Sequence, residues 1–168
     1  VSASNVRTWT TGDTEYTETE SYNITEGAAG QFQYIPEDAM KAMDRMTDAH
    51  NELYTWAHKN YLDIKVGLAH NMAYYTGKGW FDRIKAKLAD SSMNWRFPER
   101  CKDHMDFFGF NYYGAEWLKG DKVDIDPEEE YSEAGRAIYP EGLYWLLENI
   151  NKRFPKMPII ITENGIGD

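Results

Sequence analysis

The sequence has a single cysteine, few cations and no long apolar run. Because Cys101 has no second cysteine, no disulfide can form within the chain and no cysteine cluster can hold a metal. Lysine and arginine number 18 against 28 acidic residues, a formal net charge of −10, which argues against a nucleic-acid partner because phosphate binding needs basic surface. No stretch is apolar enough to span a membrane, and no signal-peptide pattern is present. These absences predict a soluble protein without a cysteine metal cluster.

The 168 residues are enough for one domain with a sizeable core, so residues 1–168 are predicted to form a single unit. Aromatic residues reach 15% of the chain. Such residues pack the interior of large barrels, and they also line sugar-binding clefts. The sequence begins at Val1 rather than Met, close to a strand-like segment, and we expect further sequence upstream.

Strand-like and helix-like segments alternate along the chain. Strands are predicted at residues 6–11, 63–69, 106–112 and 158–162. Helices are predicted to begin at Pro36 and Pro140, with a short helix over residues 80–88 and a polar loop over residues 12–30. This order predicts an α/β fold with parallel strands and right-handed crossovers.

Two predicted helices have apolar residues at helical spacing. The first has a stripe that predicts a core face rather than a ligand set: Met40, Met43, Met46, His50, Leu53 and Ala57. The short helix gathers its apolar residues on one side: Trp80, Phe81, Ile84 and Leu88.

Polar residues follow the predicted strands, among them His70, Asn71, Asn111, Tyr113, Glu163 and Asn164. In parallel α/β folds and barrels, the carboxyl ends of the strands form the functional edge. We therefore expect a site at this edge.

Three sequence blocks resemble family 1 glycoside hydrolases, the β-glucosidase family. Residues 160–165 (IITENG) resemble the nucleophile signature, residues 139–143 (YPEGL) the preceding helix start, and residues 106–113 (DFFGFNYY) the sixth strand. Within the family, residues 130–144 look closest to a plant branch of galactolipid galactosyltransferases. The resemblance implies a partial (β/α)8 TIM barrel, roughly its second half, with strands four to seven and outer helices.

The resemblance also implies a retaining reaction on a glycoside or galactolipid-type substrate. A retaining enzyme uses one carboxylate as the nucleophile and a second as the acid/base. By this likeness Glu163 is the nucleophile, Tyr113 donates a hydrogen bond to it, and Asn111 and Asn164 contribute to substrate binding. No metal or cofactor is implied.

The chain departs from the family pattern at the acid/base position. Where the family has Asn-Glu-Pro after its fourth strand, Trp9, Thr10 and Thr11 are followed by Gly12, Asp13, Thr14 and Glu15. Without gaps, Thr14 takes the place of the acid/base and cannot donate a proton at neutral pH. Glu15 could serve only after a shift of one residue, which in an extended segment reverses the side chain.

Several alternatives stay open at this level. Strands one to three and eight are absent, and the chain could be a fragment, half of a split barrel, or a non-catalytic half-barrel that serves as an interaction or sugar-binding module. Another chain, a second copy or a missing segment is expected to complete the barrel, and the isolated chain is expected to be weakly active or inactive. Hydrolysis is not distinguished from transglycosylation, nor a cytoplasmic from a plastid location.

Overall fold

A computed structural model describes residues 2–11, 14–23, 37–120 and 122–166, with the backbone alone before residue 40. The strands are β1 (Ser2–Thr11), β2 (Thr14–Asn23), β3 (His70–Thr76), β4 (Phe108–Lys119), β5 (Lys122–Val123) and β6 (Ile159–Asn164). The helices are α1 (Glu37–Asn60), α2 (Trp80–Ala89), α3 (Arg96–Cys101) and α4 (Pro140–Arg153), with a π-helical stretch, Asp90–Trp95, between α2 and α3.

The first two strands form an antiparallel hairpin in a sheet of their own. The predicted strand at residues 6–11 exists within β1, but it pairs with β2 rather than with a parallel neighbour. The loop predicted over residues 12–30 is wrong for residues 14–23, which form β2. The Thr- and Tyr-rich composition of this segment suits a strand, and its partner is the nearest segment in sequence.

The parallel arrangement predicted for the later strands is confirmed. β3 and β6 both pair in parallel with β4, on its two sides, and β5 adds a short antiparallel pair at the end of β4. The three strands therefore run in the same direction, with β6 ending beside Tyr112 while β3 and β4 continue together to Trp117. This sheet with its flanking helices is the predicted α/β barrel segment.

The bounds predicted for the strand at residues 63–69 are wrong, because β3 begins at His70 and shares no residue with that range. Before that point the Val66 N–H donates to the Asp106 side chain at 2.8 Å, and the Asp106 N–H donates to the Val66 carbonyl at 2.7 Å. The Asp106 carboxylate thus accepts from the Val66 N–H, which would otherwise donate to a neighbouring strand. β4 in turn runs past its predicted end at residue 112, because β3 pairs with it as far as Trp117.

The core lies between the parallel sheet and the helices. Phe108, Phe110 and Tyr112 alternate along β4 and are buried against the helices, including Leu146 and Ile150 of α4. Because side chains alternate in a strand, the intervening Gly109 and Asn111 face the opposite side. That opposite side corresponds to the interior of a barrel.

The buried face of α1 differs from the predicted stripe. Ala57 is buried, but Met46 and Leu53 are 61% and 55% exposed. The buried side instead runs through Thr47, and His50 Nε2 lies 2.7 Å from the His104 carbonyl. Met46 and Leu53 each directly precede a residue of the buried side, Thr47 and Tyr54, so the predicted stripe lies at the border of that side. Among the described helices, none is both long and apolar enough to cross a membrane.

Lys78 fixes the loop that follows β5. Its Nζ lies 2.9 Å from both Asp126 Oδ1 and Glu128 Oε2, and Asp126 is buried. The hydrogen bond from Lys78 holds the pKa of Asp126 below its usual 3.8. A depressed carboxyl pKa stabilises the fold above the unfolded-state pKa, and this contribution is lost as the pH falls through the folded-state value.

Lys78→Met is therefore expected to lower the free energy of unfolding at pH 7, and to change it less at an acidic pH below the depressed pKa of Asp126, where that carboxyl is protonated. Urea unfolding of the wild type and the variant at both pH values measures this. Lys87→Met, which removes an exposed cation of α2, is the matched control. An equal loss at both pH values would assign the effect to packing instead.

Candidate active site

The carboxyl end of β6 and the first half of β4 bring the candidate residues together. Asn111 of β4 lies opposite Glu163 of β6, and Tyr112 lies opposite Asn164. Tyr113 follows directly on β4. The residues identified from the sixth-strand and nucleophile motifs therefore meet where β6 ends against β4.

An irregularity in β6 directs Glu163. The pairing steps from Phe110↔Ile161 to Asn111↔Glu163, so Thr162 is an extra residue on this strand. The Thr162 hydroxyl donates to Asn111 Oδ1, while Glu163 contacts Tyr113. In a regular strand, Thr162 and Glu163 would face opposite sides. The bulge lets Thr162 and Glu163 contact residues on the same face of the sheet, and such bulges are common beside active sites.

Tyr113 donates a hydrogen bond from its hydroxyl to Glu163 Oε2. This bond, with burial and the negative charge of Glu163 adding to it, raises the pKa of Tyr113 above its usual 10.0. The phenol therefore stays protonated at neutral pH and remains a donor. Glu163 itself is exposed, because β6 pairs only with β4 among the described strands.

The two asparagines have structural partners. Asn111 Oδ1 accepts the Thr162 hydroxyl, and Asn164 Nδ2 donates to the Tyr112 carbonyl at 2.7 Å. Asn164 therefore ties the end of β6 to β4. The substrate-binding roles of Asn111, Tyr113 and Asn164 stay predictions.

Arg136 is a site residue that the sequence reasoning missed. Its guanidinium carbon lies 5.3 Å from the centre of the Tyr113 ring, and its Nη1 lies 3.9 Å from Glu116 Oε1. Burial raises the pKa of Glu116, and the charge of Arg136 opposes this rise. A cavity of about 220 Å³ opens here, lined by Tyr113, Ser132, Ala134, Arg136 and Gly165.

The backbone brings the Arg136 segment to β4. Ala137 forms an antiparallel bridge with Ala115, whose N–H donates to the Ala137 carbonyl at 3.2 Å. At Gly114, an added Cβ would lie 2.0 Å from that same carbonyl oxygen. A glycine is thus required for this close approach, which places Arg136 over Tyr113.

Other candidates lie elsewhere or outside the described residues. Thr14 and Glu15 belong to β2, opposite Thr11 and Thr10, and their side chains are outside the described residues. Glu15 as acid/base stays a prediction. His70 faces the helices, with Nε2 3.0 Å from the Met93 carbonyl, and burial lowers its pKa. In the part of the chain that the structure describes, no cluster of three potential metal ligands occurs.

Comparison with solved structures identifies the fold as part of a barrel. Fpglu1 from Fervidobacterium pennivoraus superimposes with a TM-score of 0.68 at 29% identity, over 79% of this chain and 34% of that one. The hyperthermophilic β-glucosidase from Pyrococcus furiosus gives 0.68 at 26% identity, over 79% of this chain and 31% of that one. The described parallel sheet and its helices are similar to a segment of the TIM barrel of these enzymes.

Comparison of sequences then gives the family. Residues 98–168 match the model of glycosyl hydrolase family 1. The rice (Oryza sativa subsp. japonica) protein "Beta-glucosidase-like SFR2, chloroplastic" is 37% identical over 133 residues, which cover 76% of this chain and 21% of that protein. "Galactolipid galactosyltransferase SFR2, chloroplastic" from Arabidopsis thaliana is 34% identical over the same shares. The chain is related to glycosyl hydrolase family 1, and it spans about a fifth of these two plant proteins.

Proposed function

We propose that this chain supplies the nucleophile of a retaining β-glycosidase-type site, with Glu163 attacking the anomeric carbon. One observation carries the proposal: Glu163 stands at the carboxyl edge of a parallel sheet and accepts a hydrogen bond from Tyr113 on the neighbouring strand. A carboxylate that attacks carbon must be ionised and held in a fixed orientation. The Tyr113 hydroxyl and the β6 bulge support the fixed orientation.

The reaction would proceed in two displacements. A Glu163 carboxylate oxygen forms a bond to the anomeric carbon while the bond to the leaving oxygen breaks, and an acid delivers a proton to that oxygen. The covalent glycosyl-enzyme is then attacked by water or by another hydroxyl, from which a base removes a proton. Attack by water gives hydrolysis, and attack by a sugar hydroxyl gives transfer.

The acid/base and the remaining sugar contacts complete the proposal. Glu15 is the candidate acid/base, and another chain, a second copy or a further segment would provide the remaining barrel strands. Within the described sheet, β3 and β6 each pair on one side only, with β4. Unpaired strand edges are commonly covered by further strands, and this favours completion of the barrel.

The substrate class follows from the relatives and stays part of the proposal. The names of the two plant relatives describe a β-glucosidase-like protein and a galactolipid galactosyltransferase, both chloroplastic. We extend to this chain a β-glucoside or galactolipid-type substrate and a plastid location. Cell fractionation that recovers the chain outside plastids would contradict the location.

A mechanism-based label tests the proposed function. A 2-deoxy-2-fluoro-β-glycoside with a dinitrophenolate leaving group needs little acid assistance and accumulates the glycosyl-enzyme. We expect a burst of dinitrophenolate and an increase in intact mass by one fluorosugar, for the glucoside or the galactoside. If neither compound labels the full chain or its completed assembly, the proposal is wrong.

The rival function is a non-catalytic half-barrel. The antiparallel β1–β2 hairpin favours it, because the Trp9–Thr11 segment that resembles the end of a fourth barrel strand pairs outside the parallel sheet. This function predicts no turnover even of activated aryl glycosides. A saturable glycoside titration without product would support a sugar-binding module, whereas any turnover would exclude both.

Tyr113→Phe is expected to lower kcat/KM for an aryl β-glycoside by about 10-fold, because the attacking carboxylate loses the hydrogen bond that orients it. The loss should fall mainly on kcat, because the bond orients the attacking oxygen. Steady-state kinetics measures this split. Tyr144→Phe, on the exposed face of α4, is the control and should be neutral.

A further inference from the structure

The exposed side of α2 has four large apolar side chains. Trp80 and Phe81 are each 65% exposed and their rings lie 3.6 Å apart, and Ile84 and Leu88 are 46% and 62% exposed. At about 100° of rotation per residue, the four side chains occupy an arc of roughly 100°. This set of four residues is called the α2 apolar face below.

The opposite side of α2 anchors the helix to the protein. Ala86 and Ala89 are buried against Leu118 and the partly buried Tyr75 and Val123. The small alanines let the helix lie flat on the extended end of the sheet. The α2 apolar face therefore points away from the protein.

Cations border this face on both sides. Around the helix, Lys87 and Arg83 follow Trp80 on one side of this face, and Lys85 follows Phe81 on the other side. All three side chains are exposed. The two carboxylates of this region turn inward. Asp82 accepts from the N–H groups of Gly120 and Gly79 at 2.9 and 3.3 Å, and Asp90, directly after the helix, accepts from Asn94 and Trp95. The solvent-facing side of α2 is thus apolar with basic margins.

We propose that α2 docks on an anionic lipid bilayer, with Trp80, Phe81, Ile84 and Leu88 inserted among the headgroups. A Trp- and Leu-containing face with basic margins is the pattern of helices that lie in a membrane interface, and the lysine stems let their ammonium groups reach phosphates. A single convex helix face suits a fluid, uniformly charged surface. Because the whole chain carries −10, the apolar insertion supplies most of the binding and the local cations orient it.

The chain offers a matched control face on α4. Tyr144 and Trp145 are adjacent exposed aromatics, 59% and 47% exposed, like the Trp80–Phe81 pair. At helical spacing, however, Glu141, Glu148 and Lys152 fall between them, with Lys152 Nζ 3.0 Å from Glu148 Oε2, so the net charge of these neighbours is negative. The two pairs share aromatic content and differ in the sign of the neighbouring charge.

Co-sedimentation with phosphatidylcholine vesicles that contain about one third phosphatidylglycerol tests the proposal. The full chain should bind, W80A/F81A should lower the partition coefficient by about tenfold or more, and Y144A/W145A should bind like the wild type. K85E/K87E should weaken binding to the anionic vesicles and leave binding to pure phosphatidylcholine unchanged. Circular dichroism verifies that each variant is folded.

Failure of the wild type to bind, or equal losses for the two aromatic pairs, would overturn the proposal. Vesicle-independent self-association that W80A/F81A removes would also overturn it and would assign the face to a second copy. E163Q should bind vesicles like the wild type, so this test is independent of the proposed nucleophile.

Discussion

Glu163→Gln is expected to abolish labelling by the fluorosugar and to lower kcat for an aryl β-glycoside by about 10⁴-fold, which equals about 5.5 kcal/mol of activation free energy. The amide keeps the size of the side chain and can still accept from Tyr113, but its oxygen is not an effective nucleophile at carbon. Removal of the carboxylate therefore blocks the covalent route with little change in packing.

Peptide mass spectrometry of the labelled wild type should locate the sugar on Glu163. Glu141→Gln, an exposed carboxylate in the first turn of α4, is the control and should keep both the label and the turnover. A label on any other carboxylate would refute the assignment of Glu163, and would do so even if turnover were unchanged.

Gly109→Ala is expected to destabilise the fold by about 3 kcal/mol or more, at the upper end for overpacking. An added Cβ would lie 2.0 Å from the Leu68 carbonyl oxygen and 3.1 Å from Thr162 Cγ2. The oxygen belongs to the backbone leading into β3, so it cannot move without shifting β3 against β4. Urea unfolding followed by circular dichroism measures the loss.

Gly165→Ala is the matched control, since nothing lies within 4 Å of the Cβ it would add. We expect a change in unfolding free energy within about 0.5 kcal/mol. Equal stability of the wild type and Gly109→Ala would mean that β3 and β4 pack less closely than described.

The sequence predicted the second half of the chain better than the first. Pro140 at the start of α4 and the apolar run into Glu163 define local structure strongly, and both elements are present. Over residues 2–23, a strand pattern fits either a parallel or an antiparallel partner. The Gly12-Asp13 pair between two Thr-rich runs is a hairpin signal in the sequence. This signal favours the antiparallel partner over the parallel one.

Periodicity could not reveal every contact at the candidate site. The Tyr113–Glu163 pairing follows from motifs on adjacent strands and was expected. Arg136 was missed because its position depends on the return of an irregular segment to Ala115, far from any repeat. The Thr162 bulge was missed as well, since strict alternation assigns neighbouring residues to opposite faces.

The bridge at Ala137 has a consequence for how the site responds to change. β6 occupies one edge of β4 as far as Tyr112, and because β3 holds the other edge, the segment at Ala137 must continue along the edge that β6 leaves. Glu163 and Arg136 thus reach Tyr113 from two segments, β6 and the segment at Ala137, which pair one after the other with the same edge of β4. A displacement of β4 would therefore move Tyr113, Glu163 and Arg136 together. A change in the segment before Ala137 would instead move Arg136 relative to Tyr113, and would affect the Glu163 carboxylate only by way of Tyr113.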